Sequence, residues 1–444
     1  MTRRASIVIT LVLAACELPP TSTAIPPVDT DAGAGHYQEV FPLGCEHHAH
    51  YDARLAPFQS GGTACGKDSA PTHVHLTFPA DPSTTIAFTW QTDRGTLPTD
   101  VELGPVPERL APAARGVTFW MQPPGTDEGR RIHEAHVCGL SPATTYFYRV
   151  GGPCGWSPVR SFRTAPRPGS GDLVTFAVVG DCRNNHDIWG QVAEAVEAAD
   201  PDFVVFTGDA VNRGAELSDW DGFFEYAESL LASVPFVPAN GNHEANELPF
   251  YAQFGLPGNE QWFELRYANL DFVVLNDSPP PGTPDAIAGV ERDFLEDALA
   301  ATPAPWRFTV HHKPPYSSAS FHGPTQAMWD TWVPVLDAHD VAIALAGHEH
   351  VYERTQQMRG GQPVPTVPGG CLDPANGTVY TINGGAGANL YGVGTGEPWT
   401  NVIESVHSFT LVTVQGDRLD WLAYRQDDDD PHRFDPLDHF CLQR

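Results

Sequence analysis

Basic residues are scarce in this chain. Lys and Arg total 25 against 55 for Asp and Glu, a formal charge of -30 over 444 residues. Such a surface repels nucleic-acid backbones, so no nucleic-acid partner is expected, and any anionic substrate needs local cations. Long apolar runs are scarce too: beyond Ala15 none reaches the length of a membrane-spanning helix. No repeat of fixed period is evident, so no repeat architecture is expected. Gly384-Gly385-Ala386-Gly387 lacks the G-x-G-x-x-G-to-helix context of a dinucleotide site and reads as a turn. Asp427 to Asp430, with Asp435 and Asp438, lacks EF-hand spacing and reads as a solvated acidic loop.

What the sequence does contain begins with an export signal. Arg3 and Arg4 precede an apolar run from Ala5 to Ala15, and Leu13-Ala14-Ala15-Cys16 resembles a bacterial lipobox. That resemblance implies a signal peptide over 1–15, acylation of Cys16, and a body tethered to a membrane through the lipid alone, periplasmic or at the cell surface; a plainly secreted protein is the alternative. Residues 16–40, rich in Pro, Thr, Ala and Asp, are expected to form a flexible tether. An oxidising compartment lets cysteines pair. Proximity in sequence suggests Cys45 with Cys65, Cys138 with Cys154, and Cys371 with Cys441, leaving Cys182 as a small buried thiol. His47, His48 and His50 fall in the segment 41–71 beside Cys45 and read as a His-rich loop near a disulfide.

The length suits two domains plus tails. Over 72–166, seven short apolar or alternating runs (73–78, 86–91, 101–106, 117–122, 132–138, 146–150 and 159–164) are separated by turn residues, the pattern of an all-β sandwich. Leu140, Pro142, Thr144, Tyr146 and Val150 resemble the L-x-P-x-T-x-Y-x-x-x-V pattern of fibronectin type III domains, with Tyr146 as the tyrosine-corner residue.

After Pro166 the pattern changes. Over 171–426, apolar runs alternate with amphipathic stretches (188–198, 220–231, 292–300 and 326–338), which predicts an α/β domain with layered sheets and flanking helices, followed by an acidic tail over 427–444. The chemistry sits where the apolar runs end. Phe176 to Gly180 leads to Asp181, Phe203 to Gly208 to Asp209, Pro235 to Val237 to Gly241-Asn242-His243-Glu244, Phe308 to Val310 to His311-His312, and Val341 to Ala346 to Gly347-His348-Glu349-His350. The C-terminal ends of strands in an open α/β sheet share one crevice. Carboxylate, amide and imidazole donors gathered there suit a pair of first-row metal ions. Two such ions clamp phosphoryl oxygens and activate a shared water.

In this order and spacing, G-D, G-D, G-N-H-E, H-x-P and G-H-x-H resemble the calcineurin-like metallophosphoesterase superfamily. The preceding sandwich, Gly347 to Thr355 and Gly377-Thr378-Val379-Tyr380 narrow the resemblance to purple acid phosphatases. The resemblance implies two metal ions (iron with zinc, manganese or a second iron) and no organic cofactor. Asp181, Asp209 and His350 would hold the first ion, Asp209 bridging to a second held by Asn242, His312 and His348. His243 would contact the phosphate and His322 would act near the leaving group. The expected function is hydrolysis of small phosphate monoesters by a metal-bridging hydroxide. Alternatives are a phosphodiesterase or nucleotidase of the same superfamily, or a non-catalytic surface lipoprotein with a decayed first metal site. Nothing in the sequence bears on oligomeric state.

The resemblance fails at one point. Purple enzymes carry G-D-x-x-Y, whose tyrosinate binds the ferric ion; here that position is Asn212. The superfamily's other pattern, D-x-H, is absent too, because Arg183 stands two residues after Asp181. Asn212, His186 or water would have to complete the first site. Without a tyrosinate ligand the metal-loaded protein is expected to be non-purple; an intense visible charge-transfer band in its absorption spectrum would contradict this.

Overall fold

The computed structural model describes residues 23–24, 37–55, 59–60, 62–278, 287–302, 304–365 and 369–444. Cys16 and the export signal lie outside the described residues. All seven runs expected of the sandwich are strands: Thr72–Thr77, Ile86–Thr92, Asp100–Gly104, Val117–Met121, Arg130–Val137, Thr145–Gly152 and Arg160–Arg163. They divide between two sheets and pair antiparallel with one another in each. Phe88, Trp90, Tyr148 and Phe162 are buried between them, with Phe88 and Tyr148 rings 4.6 Å apart. Tyr146 closes its corner by accepting the Ser141 N–H at its Oη, 3.0 Å.

The second domain is built on two mixed sheets packed face to face. In one, Val174–Val179, Phe203–Phe206 and Phe236–Pro238 run parallel. In the other, Leu270–Val274, Trp306–Val310, Ile343–Ala346 and Thr378–Asn383 run parallel. These strands are almost entirely buried, because each sheet is covered on both sides. Between the sheets, Phe176 stacks on Phe203 and meets Phe272 edge-on, while Phe272 stacks on Phe308. The expected helices form as His186–Ala198, Leu217–Leu231 and Val290–Ala301. The stretch expected over 326–338 is two helices, Gln326–Thr331 and Val333–Ala338. Pro334 has no N–H to continue the ladder, so the helix breaks there.

One sheet crosses the domain boundary. Phe236 pairs in parallel with Thr77, joining the catalytic sheet to the sandwich in eleven strands. Tyr148 Oη donates to Ala232 O at 2.6 Å, and Arg130 pairs with Asp221 at 2.5 Å.

The structure corrects three expectations. Cys45 bonds Cys138 and Cys65 bonds Cys154, not their sequence neighbours. Cys371–Cys441 forms as expected, and Cys182 is free and buried. The physical reason is that the segment 41–71 runs along the sandwich, so each of its cysteines meets a sandwich cysteine: Tyr51 packs on Phe119 and donates to Glu134 at 2.7 Å. Second, Tyr37–Phe41, begun within the expected tether, is a strand paired with Ala49–Asp52. Third, Phe434–Gln443, placed in an acidic tail, is the edge strand of the eleven-stranded sheet, paired with Arg418–Gln426. Its Asp438 receives Arg354 at 2.6 and 2.9 Å, so a carboxylate that looks solvated in sequence is neutralised by a partner.

Non-reduced peptide mapping should recover the 45–138, 65–154 and 371–441 cross-links. Removing the 65–154 bridge, which closes 89 residues, should cost about 2–5 kcal/mol in denaturant unfolding. Recovery of a 45–65 peptide would contradict this arrangement.

Candidate metal centre

Every parallel strand of the two sheets points its C-terminal end into one cleft. The chain turns sharply there, and Asp181, Asp209 and His348 sit at φ 57°, 60° and 70°, a left-handed conformation uncommon for non-glycine residues and frequent at functional sites. Glycine at the neighbouring positions makes room for carboxylates. A Cβ on Gly347 would lie 2.4 Å from Asp181 Oδ2, and one on Gly241 would lie 2.3 Å from Asp209 Oδ1.

Asp209, Asn242, His312 and His348 meet in one cluster. His312 Nε2 lies 3.2 Å from Asp209 Oδ1, 3.0 Å from Asn242 Oδ1 and 3.2 Å from His348 Nδ1. His312 Nδ1 is 2.8 Å from Thr207 O, so its proton belongs on that nitrogen and Nε2 presents a lone pair. With Nε2 deprotonated, lone pairs of a carboxylate, an amide oxygen and imidazoles face one another in a largely buried pocket, the arrangement a cation resolves. The electrostatics agree. Although burial disfavours its charged form, His312 is pushed up to about 10 by Asp209, Asp181 and Asp277, so without a metal Nε2 also holds a proton, in the place a cation would take. His348, by contrast, is held neutral by burial and by the neighbouring His312. These residues fit a metal ion.

Asp181, Asp209 and His350 also come together, buried, with ligand atoms all within 4.8 Å. A cationic side chain lies against two of the three. Arg183 places Nε 3.3 Å from Asp209 Oδ2, Nη1 3.4 Å from Asn212 Oδ1 and Nη2 3.2 Å from His350 Nε2. These residues, with the guanidinium between them, do not fit a second ion. Asn212 reaches the cluster as an acceptor for Arg183. His186 does not reach it: its ring lies over Gly222 and beside Tyr226 on the helix Leu217–Leu231.

His243 and His322 flank the cluster. His243 Nδ1 bonds Asn212 O at 2.7 Å, which leaves Nε2 facing the cleft, 3.8 Å from Asp209 Oδ2. His322 stacks on His348 with ring centroids 4.1 Å apart and lies 3.5 Å from Glu349 Oε1. His311 points away, bonding Lys313 O and packing on Trp332.

Buried carboxylates hold the loops. Glu244 accepts the backbone N–H groups of Asp209, Ala210 and Gly241 at 2.9, 2.7 and 2.8 Å. Glu349 accepts those of His322 and Gly323 at 2.9 and 2.7 Å. Sequence reasoning missed Asp277, which accepts the N–H of His312 at 2.7 Å and of Lys313 at 2.5 Å. It ends the apolar run Phe272 to Leu275, the same signal that marked Asp181 and Asp209. Tyr391 was also missed; it stacks on His350 at 3.9 Å, and no local pattern announces it.

Comparison with known proteins agrees with this geometry. Residues 174–352 match the calcineurin-like phosphoesterase family and residues 71–164 match the purple acid phosphatase N-terminal domain. The second domain is therefore similar to the calcineurin-like metallophosphoesterases, and these matches support a hydrolase of phosphoric ester bonds. Its two domains follow one another as in the purple acid phosphatases, a family with a dinuclear centre. It is 25% identical over 401 residues to purple acid phosphatase 18 of Arabidopsis thaliana, covering 83% of this chain and 84% of that protein. It is 26% identical over 309 residues to probable inactive purple acid phosphatase 1 of the same plant, covering 58% of this chain and 49% of that protein. The solved purple acid phosphatase from yellow lupin seeds superposes with a TM-score of 0.74 at 21% identity, over 85% of this chain and 75% of that one.

Glu244→Ala should destabilise the protein by about 3 kcal/mol, because it strands buried amides of two loops. An unfolding midpoint equal to that of the native protein would show that the loops are held by something else.

Proposed function

We propose that this chain hydrolyses small phosphate monoesters in the manner of an acid phosphatase, as an exported lipoprotein anchored through Cys16. One observation carries the reading: Asp209, Asn242 and His348 each bring a donor atom within 3.2 Å of His312 Nε2, with His243 and His322 on either side. Three disulfides support an oxidising compartment, and no helix among the described residues is long and apolar enough to cross a membrane.

Iron, zinc or manganese suits these nitrogen and oxygen donors and, when bound, supplies Lewis acidity toward a phosphoryl oxygen and a nucleophilic water near neutral pH. The remaining work falls to the chain. His243, with its Nδ1 proton committed to Asn212 O, aims Nε2 at a phosphoryl oxygen and binds it when protonated. His322, braced by His348 and by Glu349, stands at the exposed side, where the leaving oxygen departs and needs a proton. Glu244 and Asp277 keep Asp209 and His312 in place, so the donors do not reorganise as charge develops. In a chain of net charge -30, this cleft is where cations gather to receive an anion.

The test is hydrolysis of a chromogenic phosphomonoester and a phosphodiester by native protein supplied with iron, zinc or manganese. Monoester turnover abolished by chelation is expected, and Asp209→Asn should lower it at least about a hundredfold. Turnover of the diester alone would favour a phosphodiesterase. Metal-free, inactive protein under all three conditions would leave only a non-catalytic role.

A further inference from the structure

We propose that Arg183 replaces one of the two metal ions, so that the centre works with a single ion beside a built-in guanidinium. This rests on the phosphoesterase reading above and departs from the family's dinuclear plan. Arg183 stands where D-x-H would supply a ligand, and its side chain is only 12% exposed. Its donors reach the residues that a first ion would need: Asp209 Oδ2 at 3.3 Å, Asn212 Oδ1 at 3.4 Å and His350 Nε2 at 3.2 Å.

Each partner is set up to receive it. His350 Nδ1 lies 2.6 Å from Asn389 O, so that nitrogen carries the proton and Nε2 offers its lone pair to Nη2–H. Tyr391 stacks on the His350 ring and fixes its orientation. Asp209 divides its oxygens, Oδ1 toward His312 and Oδ2 toward Arg183. That is the division of a bridging carboxylate, with a guanidinium at one end. A metal about 2.1 Å from both His350 Nε2 and Asp209 Oδ2 would press against that guanidinium, cation against cation. The two substitutions also explain each other. Asn212 in place of a tyrosinate removes an anionic ligand and supplies a neutral acceptor for Nη1–H.

The exchange preserves a use for the position. A guanidinium carries five N–H donors. Three are engaged by Asp209, Asn212 and His350 and Tyr391 also hydrogen-bonds the group, which leaves one N–H to take a phosphoryl oxygen. Arg183 is thus both the charge that neutralises Asp209 Oδ2 and a binding group for the substrate phosphate.

Metal content decides the matter. Native protein reconstituted with Mn2+ and desalted should hold one equivalent, with the six-line electron paramagnetic resonance spectrum of an isolated ion. Arg183→His restores D-x-H and should raise the content to two equivalents with a spin-coupled signal. Arg183→Met should stay at one equivalent while KM for a phosphomonoester rises about tenfold, the loss of one charged hydrogen-bond donor. Two equivalents in the native protein, with hydrolysis intact, would overturn the assignment of Arg183 and leave the phosphoesterase standing. So would one equivalent in a natively stable Arg183→His. Native protein that binds no metal and hydrolyses nothing would overturn the phosphoesterase itself. The native stoichiometry is decisive even if a variant fails to fold.

Discussion

Two carboxylates buried side by side set the terms for the rest of this molecule. Asp181 and Asp209 end neighbouring parallel strands and are 0% and 1% exposed. Charge taken out of water at that depth must be met by opposite charge and hydrogen bonds, or it neutralises by taking up protons. Burial pushes Asp181 well above the usual carboxylate range, with Asp209 adding to the effect against the pull of His312. Asp209 itself is held low, because His312 and His243 outweigh the cost of burial. Imidazoles, backbone amides and one guanidinium converge on these two side chains, and the left-handed turns at Asp181, Asp209 and His348 are the strain that convergence demands.

The loops that carry these groups are themselves held by buried acids. Glu244 ties the Asp209 loop to the Asn242 loop, Asp277 fixes the turn at His312, and Glu349 fixes the chain at His322. Each uses a carboxylate to satisfy backbone N–H groups that a tight turn leaves without helix or ladder partners. Beneath them, the stacked Phe176, Phe203, Phe272 and Phe308 bind the two sheets into one rigid floor. The sandwich contributes no side chain to the cluster. It extends the floor, through the pairing of Phe236 with Thr77.

Much of this was legible along the chain because it is local. Apolar or alternating runs of five to seven residues marked the strands of the sandwich, and Tyr146 with Leu140 and Pro142 marked its corner. Apolar runs ending in Asp, Asn or His located Asp181, Asp209, Asn242, His312 and His348, since a parallel strand must end at the cleft wherever it lies in sequence. Asp277 obeyed the same rule but was masked by a run that matches no short motif. Other features had no local signature. The cysteines of the segment 41–71 choose partners some ninety residues away, because proximity in the fold and not along the chain brings sulfurs together. Phe434–Gln443 looks like solvated tail by composition, yet its backbone completes a sheet and Asp438 meets Arg354.

The sequence by itself determined the order of the two domains, the donors available to a metal centre and the loss of the tyrosinate at Asn212, because each depends on residue type at a fixed offset. Only the tertiary structure decided what that loss means. Arg183 reads as a missing ligand when counted along the chain. Folded, its guanidinium reaches Asp209, Asn212 and His350, residues 26, 29 and 167 positions away. Opposite charge and a shared cavity, which sequence spacing cannot express, make it the occupant of the place it seemed to leave empty.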